Sequence, residues 1–553
     1  MRAFPARQVR EALAVLVGGL LLAVLATWPA ARHPATTFPG DLGDPPVQAW
    51  QVAWSGHALL HQALSPFDAN AFHPAARSLA FSDSLLGLAP FGLLVQGPRS
   101  ATAVYTLLFL LSLAGALTGA HLLARQLGLG RLPSLVAGVA FAFAPWRIAH
   151  VGHLNILLSG GIPLALALLA RAAGVGRQAP RSARPVLALA GWLVAAWQLT
   201  LGFGLGLAFA YLLGGLTVVL AVRRLLQRRP LDRRLTAAML VGLVLFGATG
   251  ALFSRPYAKV VEQFPGAKRQ YADVQLYSPP ARGYLVTHRN AWLWGPVTEE
   301  RRATLFTEGE MALAPGVTVL VLAVVGLLTP GWSRKRRLLL LAGVLLAGVF
   351  SLGSNGPRSG AFTYRLLYDH APGWQGLRTP GRLTLYVSLG LGLLAAAGTQ
   401  ALVRVVRPRL LGPALAVLVA ALVVVEGSAK TDVATPAPLP APLPTDAGAL
   451  LVLPTDAFAD SQTLLWTTTG FPQVANGNSG FLPPETDHLR KLMPTFPDGL
   501  SVAALLQTDV STVVVAKDRV GGTPWQDVGA RPVGALPLTV TDAGPYLVYR
   551  LSR

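Results

Sequence analysis

The chain contains no cysteine among its 553 residues. Without a thiol it can form no disulfide, no thiolate nucleophile and no cysteine-bound metal site. Acidic residues are also scarce, with 25 aspartates and glutamates against 46 lysines and arginines. Because carboxylates are so few, a pair of them placed beside a membrane segment is a better functional candidate than ordinary surface charge.

Several catalytic motifs are missing as well. The sequence has no phosphate-binding P-loop, no GxSxG nucleophile elbow and no HExxH zinc motif, which argues against an ATPase, a serine hydrolase and a metalloprotease. Lysine and acidic residues are also missing from the middle of the apolar segments, which argues against an ion-coupled transporter. We expect neither a metal ion nor a cofactor.

Apolar sequence, in contrast, is abundant. Hydrophobic residues make up 52% of the chain, charged residues 13%, and the mean hydropathy is +0.50. A membrane-crossing helix needs roughly 20 predominantly apolar residues. The sequence therefore predicts an all-α multi-span membrane protein with about eleven transmembrane helices. The predicted spans are residues 12–30, 101–124, 132–146, 154–170, 185–200, 203–222, 235–254, 311–329, 338–353, 381–403 and 410–427.

Basic residues cluster in the short loops on one side of these spans, and such clusters stay in the cytoplasm. They place the N-terminus inside the cytoplasmic membrane and the C-terminus outside. The clusters run over Arg2–Arg10, Arg171–Arg184, Arg223–Arg234, Arg334–Arg337 and Arg404–Arg409. Because the net charge of +21 lies between spans, it does not indicate a nucleic-acid-binding surface. The first span could alternatively be a cleaved signal peptide ending near Ala30.

Three exterior segments and a tail follow from this topology. The segments are residues 31–100, 255–310 and 354–380, and within the first of them the short apolar stretch 84–97 is predicted to be re-entrant or interfacial. Residues 1–427 form the predicted membrane domain, and the proline-rich stretch 428–444 is a stiff linker. Residues 445–553 are predicted to form a small extracytoplasmic α/β domain. Its predicted elements are strands 449–453, 511–516 and 546–551 and a helix at 501–507.

Asp41 and Asp44 stand at the start of the first exterior segment, in the sequence Gly40-Asp41-Leu42-Gly43-Asp44-Pro45. Aspartate and glycine before proline are good turn formers, so both residues could simply shape a turn. An exterior carboxylate at the mouth of a helical cavity can also act as a general base toward an acceptor hydroxyl. One residue can do both.

Trp50, Trp54, His57 and His61 follow at steps of four, three and four, which places them on one face of a helix. One reading is an interfacial helix anchored by its tryptophans, with solvated histidines. A metal site at His57 and His61 has little support, because no further ligand group accompanies them. His57 is also a candidate substrate-binding residue.

Two further polar groups lie at predicted exterior ends of spans. Arg378 and Arg382 could bind a phosphate-bearing ligand, since arginine suits phosphate oxygens, or they could contact lipid headgroups. Arg147, His150 and His153 lie at a depth where polar groups are costly, which suggests a cavity. The aromatic-rich segment 255–310 could stack on sugar rings or form an interfacial belt.

Short motifs along residues 1–427 also form a recognisable set. They are Gly43-Asp44-Pro45 with Trp50 and Trp54, Phe67-Asp68-Ala69-Asn70-Ala71-Phe72-His73-Pro74, Phe143-Ala144-Pro145-Trp146-Arg147 with His150 and His153, Ser351-Leu352-Gly353, and Arg378-Thr379-Pro380-Gly381-Arg382. Together with the span layout, this set resembles the GT-C superfamily of integral-membrane glycosyltransferases, including the bacterial YfhO-type membrane proteins.

The resemblance implies an enzyme that takes a sugar from a polyprenyl-phosphate carrier and passes it to an envelope polymer, glycolipid or protein outside the membrane. It makes Asp44 the expected general base, Asp41 its reserve and Asp83 a possible second acid. Arg378 or Arg382 would hold the carrier phosphate. Two alternatives keep the same architecture: a non-catalytic scaffold or polymer-binding subunit, and a transporter of a lipid-linked sugar.

Overall fold

The computed structural model describes residues 6–177, 179–228, 232–408, 411–445 and 448–552. Arg2, Arg229 and Arg409 of the predicted cytoplasmic clusters lie outside the described residues. The helices up to residue 263 are α1 Ala6–Ala26, α2 Trp28–Arg32, α3 Asp44–His61, α4 Ala89–Gly92, α5 Pro98–Gln126, α6 Arg131–Ala142, α7 Pro145–Ile148, α8 Leu154–Leu157, α9 Gly161–Ala173, α10 Arg184–Leu199, α11 Phe203–Leu226 and α12 Arg233–Gln263.

The remaining helices follow residue 263, and those that are not apolar are short. They are α13 Tyr271–Leu276, α14 Glu299–Arg302, α15 Glu308–Met311, α16 Val317–Leu328, α17 Arg334–Ser351, α18 Tyr364–His370, α19 Thr384–Val405, α20 Leu411–Glu426, α21 Ala457–Trp466, α22 Pro484–Leu492 and α23 Gly499–Leu506. The strands are β1 Phe38–Pro39, β2 Val433–Ala434, β3 Ala449–Leu453, β4 Val510–Ala516, β5 Leu538–Ala543 and β6 Tyr546–Leu551.

Every predicted span overlaps at least one helix, and the mostly helical fold is confirmed. Among the described residues, six helical segments are long and apolar enough to cross a membrane: Ala6–Ala26, Pro98–Gln126, Leu154–Ala173, Phe203–Leu226, Arg233–Gln263 and Pro380–Val405. Other predicted spans are shorter; α6 and α16 have 12 residues each and rise only about 18 Å, less than a bilayer core of about 30 Å. The count of eleven crossings therefore stays a prediction.

The described chain forms two compact units. The helical unit comprises the described part of residues 1–28, 108–253 and 268–431. The mixed unit comprises the described part of residues 29–107, 254–267 and 432–553, and it contains all six strands. The first exterior segment thus folds in the same unit as the C-terminal strands.

Close helix packing in the helical unit depends on small residues. A Cβ atom at Gly326 of α16 would collide with the carbonyl oxygen of Leu394, and one at Gly398 of α19 would collide with that of Leu322. Small residues allow helix backbones to approach each other, which is a common packing mode where lipid surrounds the helices. The two glycines therefore hold α16 and α19 in direct backbone contact.

Residues of three predicted basic clusters, those of Arg10, Arg177 and Arg336, lie at one end of the helical unit. Glu11 of α1 accepts from Arg125 Nε at 2.6 Å and from Arg131 Nε at 3.0 Å. Gln126 donates to the carbonyl oxygens of Val175 and Arg177, and Arg336 donates to that of Leu127 at 2.9 Å. The N-terminus of α1 and the C-terminal ends of α5 and α9 therefore share this end, as a single-sided distribution of arginine requires.

The mixed unit is built on a four-stranded sheet in the order β3-β4-β6-β5. β3 and β4 are parallel, whereas β6 runs antiparallel to both β4 and β5. The predicted strands 449–453 and 546–551 are confirmed, and those at 511–516 and the helix at 501–507 agree with β4 and α23 within two residues. Buried side chains of β3, β4 and β6 pack with Met493, Phe496 and Trp525 into one core.

The prediction that α3 is an interfacial amphipathic helix is wrong. Trp50 and Trp54 are only 2% and 1% exposed, and their indole nitrogens donate to Asn70 Oδ1 and to the Pro66 carbonyl oxygen, each at 2.9 Å. The helix packs against α4 and α21, and Gly56 lies against the backbone of α4. The tryptophan face therefore meets protein inside the mixed unit.

Residues 70–73 of the first exterior segment add to the edge of this sheet. Asn70 donates from Nδ2 to the Pro472 carbonyl oxygen at 2.8 Å, and Val474 N donates back to the Asn70 carbonyl at 2.9 Å. Phe72 N bonds to Asn476 O, and the 472–476 stretch in turn bonds to Leu450 of β3. Polar groups of residues 70–73 and 472–476 thereby form hydrogen bonds with each other, as buried polar groups require.

Candidate active site

The aspartates at the start of α3 lie on a short, well-anchored loop of the mixed unit. β1 pairs with β2, and Gly40 N donates to the Asp432 carbonyl oxygen at 2.8 Å. Asp41 Oδ1 accepts from Gly43 N at 2.8 Å, which is the aspartate turn contact that the sequence predicts. Asp41 is therefore held by its own turn.

Asp44 is the first residue of α3 and is exposed. Proline at the first helical positions needs no N–H partner, so Pro45 and Pro46 suit the start of this helix. A carboxylate at a helix N-terminus is stabilised in its charged form by the unpaired N–H groups there. Asp44 is thus an accessible carboxylate at the N-terminus of α3.

A buried tyrosine feels the charge of both acids. Tyr105 of α5 is fully buried, its ring packs edge-on against Phe38 of β1 at 5.2 Å, and its hydroxyl interacts electrostatically with Asp44 and Asp41. No residue that the structure describes forms a hydrogen bond with the Tyr105 hydroxyl. Because buried hydroxyls are nearly always paired, this oxygen is a candidate contact for a ligand near the acids.

Asp83 and His57 occupy other surroundings in the mixed unit. Asp83 is half-buried and interacts with Tyr257, whose hydroxyl donates to the Ser82 carbonyl oxygen at 3.1 Å. The His57 ring lies 4.4 Å from Phe471 and 4.6 Å from His61, and burial together with His61 lowers its pKa. Within the described part of the chain, no group of three or more potential metal ligands occurs.

In the helical unit, Arg382 forms a two-pronged ion pair with Glu310. Arg382 Nε and Nη2 lie 3.1 and 2.5 Å from Glu310 Oε1. Burial opposes ionisation of this carboxyl, but the charge of Arg382 and its hydrogen bond lower the pKa of Glu310 to about 2. An added phosphate would therefore have to compete with Glu310 for Arg382.

Arg378 lies in a different setting. Its guanidinium sits 4.8 Å above the ring of Tyr277, and no carboxylate among the described residues forms an ion pair with it. The neighbouring Arg269 is half-buried, and burial together with the charge of Arg378 lowers the pKa of Arg269. The charge of Asp273 offsets part of this repulsion, and an anion bound beside Arg378 would lower the rest.

Arg147, His150 and His153 lie in one turn, with the rings of the two histidines 5.5 Å apart, and the cavity beside Arg147 is small. Arg147 is 2% exposed and donates to Ser159 Oγ at 2.9 Å and to the Leu157 carbonyl at 2.7 Å. The cavity that it lines measures only about 40 Å³. Burial lowers the pKa of His150 to about 3, so this imidazole is neutral. These contacts stabilise the turn between α6 and α9.

Sequence reasoning missed Tyr105, Arg269 and the partner role of Glu310. Tyr105 lies inside a predicted span, where a single tyrosine gives no signal. Glu310 offered one available clue: it is an acid in an exterior segment that ends close to a predicted span, in a chain with few acids. Its partner Arg382 is 72 residues away, so no local spacing reveals the pair.

Neither a protein-family model nor a curated protein sequence matches the chain. Its structural neighbours among solved proteins are GT-C membrane glycosyltransferases. One of them is the arabinofuranosyltransferase AftD from Mycobacteria, with a TM-score of 0.57 and 18% sequence identity. The match covers 98% of this chain and 42% of the AftD chain, so this chain spans less than half the length of that protein.

Two further neighbours are less similar. The oligosaccharyltransferase of Archaeoglobus fulgidus gives a TM-score of 0.47 at 14% identity, covering 97% of this chain and 73% of the other. ArnT from Cupriavidus metallidurans, solved with undecaprenyl phosphate, gives 0.40 at 13% identity, covering 97% of each chain. Of these three likenesses, the one to AftD shows a shared fold.

Proposed function

We propose that this protein is a membrane glycosyltransferase that moves a sugar from a polyprenyl-phosphate carrier to an envelope polymer, glycolipid or protein on the outer face of the cytoplasmic membrane. The observation that carries the proposal is the position of Asp44, an exposed carboxylate at the N-terminus of α3, in a chain whose fold resembles AftD over 98% of its length. The likeness supports the class of reaction, and the acceptor is left open.

Asp44 is the proposed general base. The acceptor hydroxyl would give its proton to the Asp44 carboxylate while its oxygen forms a bond to the anomeric carbon of the sugar. The bond from that carbon to the carrier phosphate breaks at the same time, and the polyprenyl phosphate leaves with the electron pair. This single displacement inverts the anomeric centre and needs no covalent intermediate. Asp41 is the reserve base, and Asp83 a second acid.

Arg378 is the better of the two proposed phosphate ligands. Arg382 is neutralised by Glu310, whereas Arg378 has a tyrosine ring beneath it and a second arginine beside it. A cation that is already positioned stabilises charge as it develops on a leaving phosphate. His57, Arg147, His150 and His153 remain proposed substrate contacts, with His150 acting as a neutral hydrogen-bonding group.

The proposed topology places the N-terminus inside, eleven helices across the membrane, and residues 445–553 outside beyond the linker 428–444. The convergence of arginines at one end of the helical unit supports the inside assignment of that end. Residues 31–100 would then lie outside, where a lipid-linked sugar and an envelope acceptor meet.

The test is transfer by the purified chain in liposomes that contain synthetic polyprenyl-phosphate sugars, arabinofuranose among them, and an extract of envelope glycolipids. We expect a new glycosidic product by mass spectrometry and release of polyprenyl phosphate. Asp44→Asn should lower turnover at least about 100-fold, the usual contribution of a general base. Asp68→Asn, an exposed aspartate of the same segment, is the matched control and should keep full turnover.

Full turnover in both Asp44→Asn and Asp41→Asn would overturn the mechanism. Movement of the carrier across the vesicle without a new glycosidic bond would identify a transporter instead. Loss of function on removal of residues 445–553, with no effect of any carboxylate change, would identify a scaffold. Mass spectrometry of envelope glycans in cells that lack the protein would name the sugar and its acceptor.

A further inference from the structure

A second site lies in the helical unit, at the end that holds Arg10, Arg177 and Arg336. A cavity of about 300 Å³ is bordered by α1, α5 and α9. None of the residues that line it belongs to the candidate active site. Most of its wall is apolar, formed by Leu13, Leu16, Leu122, Leu164, Ala167 and Leu168.

One end of the cavity carries an excess of positive charge. Arg125, Arg171 and Arg177 line it together with a single acid, Glu11. Glu11 accepts from Arg125 at 2.6 Å, and Arg131 also donates to it. Arg171 donates from Nη1 to the amide oxygen of Gln8 at 2.6 Å.

Arg177, which also lines the cavity, lies among other positive charges. Burial and the like charges of Arg125, Arg171 and Arg131 lower the pKa of Arg177, whereas Glu11 raises it. Arg177 donates to the Leu129 carbonyl oxygen at 3.4 Å, a long contact. An anion bound among Arg125, Arg171 and Arg177 would reduce the repulsion between them.

The cavity is open on the side of α1. Val9 and Leu13, which border it, are 46% and 56% exposed, and the exposed leucines and valines of α1 continue along the helix. In a membrane such a surface faces lipid. A molecule with an acyl chain and an anionic head can therefore enter sideways from the bilayer.

We propose that this cavity binds one anionic phospholipid from the leaflet at the arginine-rich end. Its phosphate would lie among Arg125, Arg171 and Arg177, and an acyl chain would lie along the leucines of α1, α5 and α9. The planar guanidinium group of arginine can bind two phosphate oxygens at once. Basic pockets between membrane helices bind anionic lipid headgroups. The apolar wall excludes free phosphate as the intended ligand, because phosphate alone would leave that wall empty. Since α1 is largely exposed, the lipid would fasten it to α5 and α9.

The experiment compares lipids of different charge on the full chain. The protein is reconstituted in nanodiscs of phosphatidylcholine with increasing phosphatidylglycerol, and retained lipid is counted by native mass spectrometry. The double variant Arg171→Gln/Arg177→Gln removes two of the three cations. Arg181→Gln, an exposed arginine of the same loop that does not line the cavity, is the matched control.

We expect wild type and Arg181→Gln to retain one phosphatidylglycerol in preference to phosphatidylcholine. The double variant should lose at least tenfold in that preference. Phosphatidylglycerol should also raise the melting temperature of wild type but not of the double variant, because a ligand that binds the folded state stabilises it. Because the comparison uses the change in melting temperature on adding phosphatidylglycerol, it can be interpreted even if the double variant is less stable in phosphatidylcholine alone.

A second variant examines the apolar part. Ala167→Phe fills the cavity without changing its charge and should also lower phosphatidylglycerol retention, with Val218→Phe on the exposed surface of α11 as control. Equal retention in the double variant and in Arg181→Gln would overturn the proposal. So would inorganic phosphate raising the melting temperature as much as phosphatidylglycerol does.

Discussion

Arg382 donates to the carboxylate of Glu310 through both Nε and Nη2, so the protein itself neutralises one of the two arginines that the sequence offers for a carrier phosphate. Arg378, four residues earlier, rests on the ring of Tyr277 instead. The two arginines of one short motif therefore have different roles, and each role can be tested separately.

Removing the acid of the ion pair should destabilise the helical unit. Glu310→Gln leaves the partly buried Arg382 without its counter-charge, and breaking a buried pair in this way costs about 3 kcal/mol or more. We expect a clear fall in melting temperature in detergent. The double variant Glu310→Gln/Arg382→Gln should recover part of the loss, because it removes the stranded charge; a double variant that is less stable than Glu310→Gln would contradict this account.

The same pair should make stability depend on acid pH. The pKa of Glu310 in the folded protein is about 2, below the ordinary value of 4.5. Its contribution is therefore fully present above about pH 4.5 and is lost as pH falls toward 2. Melting curves between pH 6 and pH 3 should show a steeper loss of stability for wild type than for Glu310→Gln. Parallel curves for the two proteins would rule out an ionised Glu310.

Arg378→Gln should weaken use of the lipid-linked donor. Loss of a hydrogen bond to a charged phosphate costs about 1.5–3 kcal/mol, equivalent to roughly a 10- to 100-fold fall in kcat/KM. Arg358→Gln is a close control, since Arg358 is exposed and also lies over an aromatic ring, that of Phe362, at 5.2 Å. If both variants lose the same activity, the effect belongs to general surface charge and not to Arg378.

Tyr105→Phe should separate stability from activity. The Tyr105 hydroxyl is buried without a partner among the described residues, so its removal should leave the melting temperature unchanged or raise it. Turnover should nevertheless fall about tenfold if this hydroxyl contacts a reactant beside Asp44. Tyr257→Phe is the contrasting control: it loses a hydrogen bond to Ser82 and should cost about 1 kcal/mol. A marked loss of stability in Tyr105→Phe would show that the hydroxyl is paired after all.

Asn70→Ala should loosen the mixed unit. The Asn70 side chain is fully buried and joins Trp50 to the Pro472 carbonyl oxygen, so its loss leaves two buried polar groups unpaired. The expected cost is about 2 kcal/mol or more. Limited proteolysis of the segment that follows α3 would report it. Asn478→Ala, which loses one half-buried hydrogen bond to Ser461, should have a smaller effect.

The helices of the membrane region could be predicted because long apolar runs are a local signal. Each predicted span meets a helix, and strand β3 was expected with its observed limits. The spacing of Trp50 and Trp54 likewise predicted one helical face correctly. What that face contacts could not be predicted, because its partners Asn70 and α21 are brought to it only by the fold of the mixed unit.

The candidate site was predictable to a similar degree. The turn at Asp41 follows from local preference, and the structure contains it. The roles of Asp44 and Arg378 stay predictions. The ion pair that distinguishes Arg382 from Arg378 depends on a contact between α15 and the turn that precedes α19, and no spacing in the sequence encodes that contact.

The bond between Asn70 and Pro472 spans 402 residues of chain. During synthesis at about 5–20 residues per second, the segment that carries Asn70 would be made roughly 20 to 80 s before its partner exists. For that interval the buried faces of Trp50, Trp54 and Phe72 have no C-terminal strands to cover them. The mixed unit is thus completed only after residues 472–476 have been made, and a chain that stops before them leaves its first exterior segment open to proteases and chaperones.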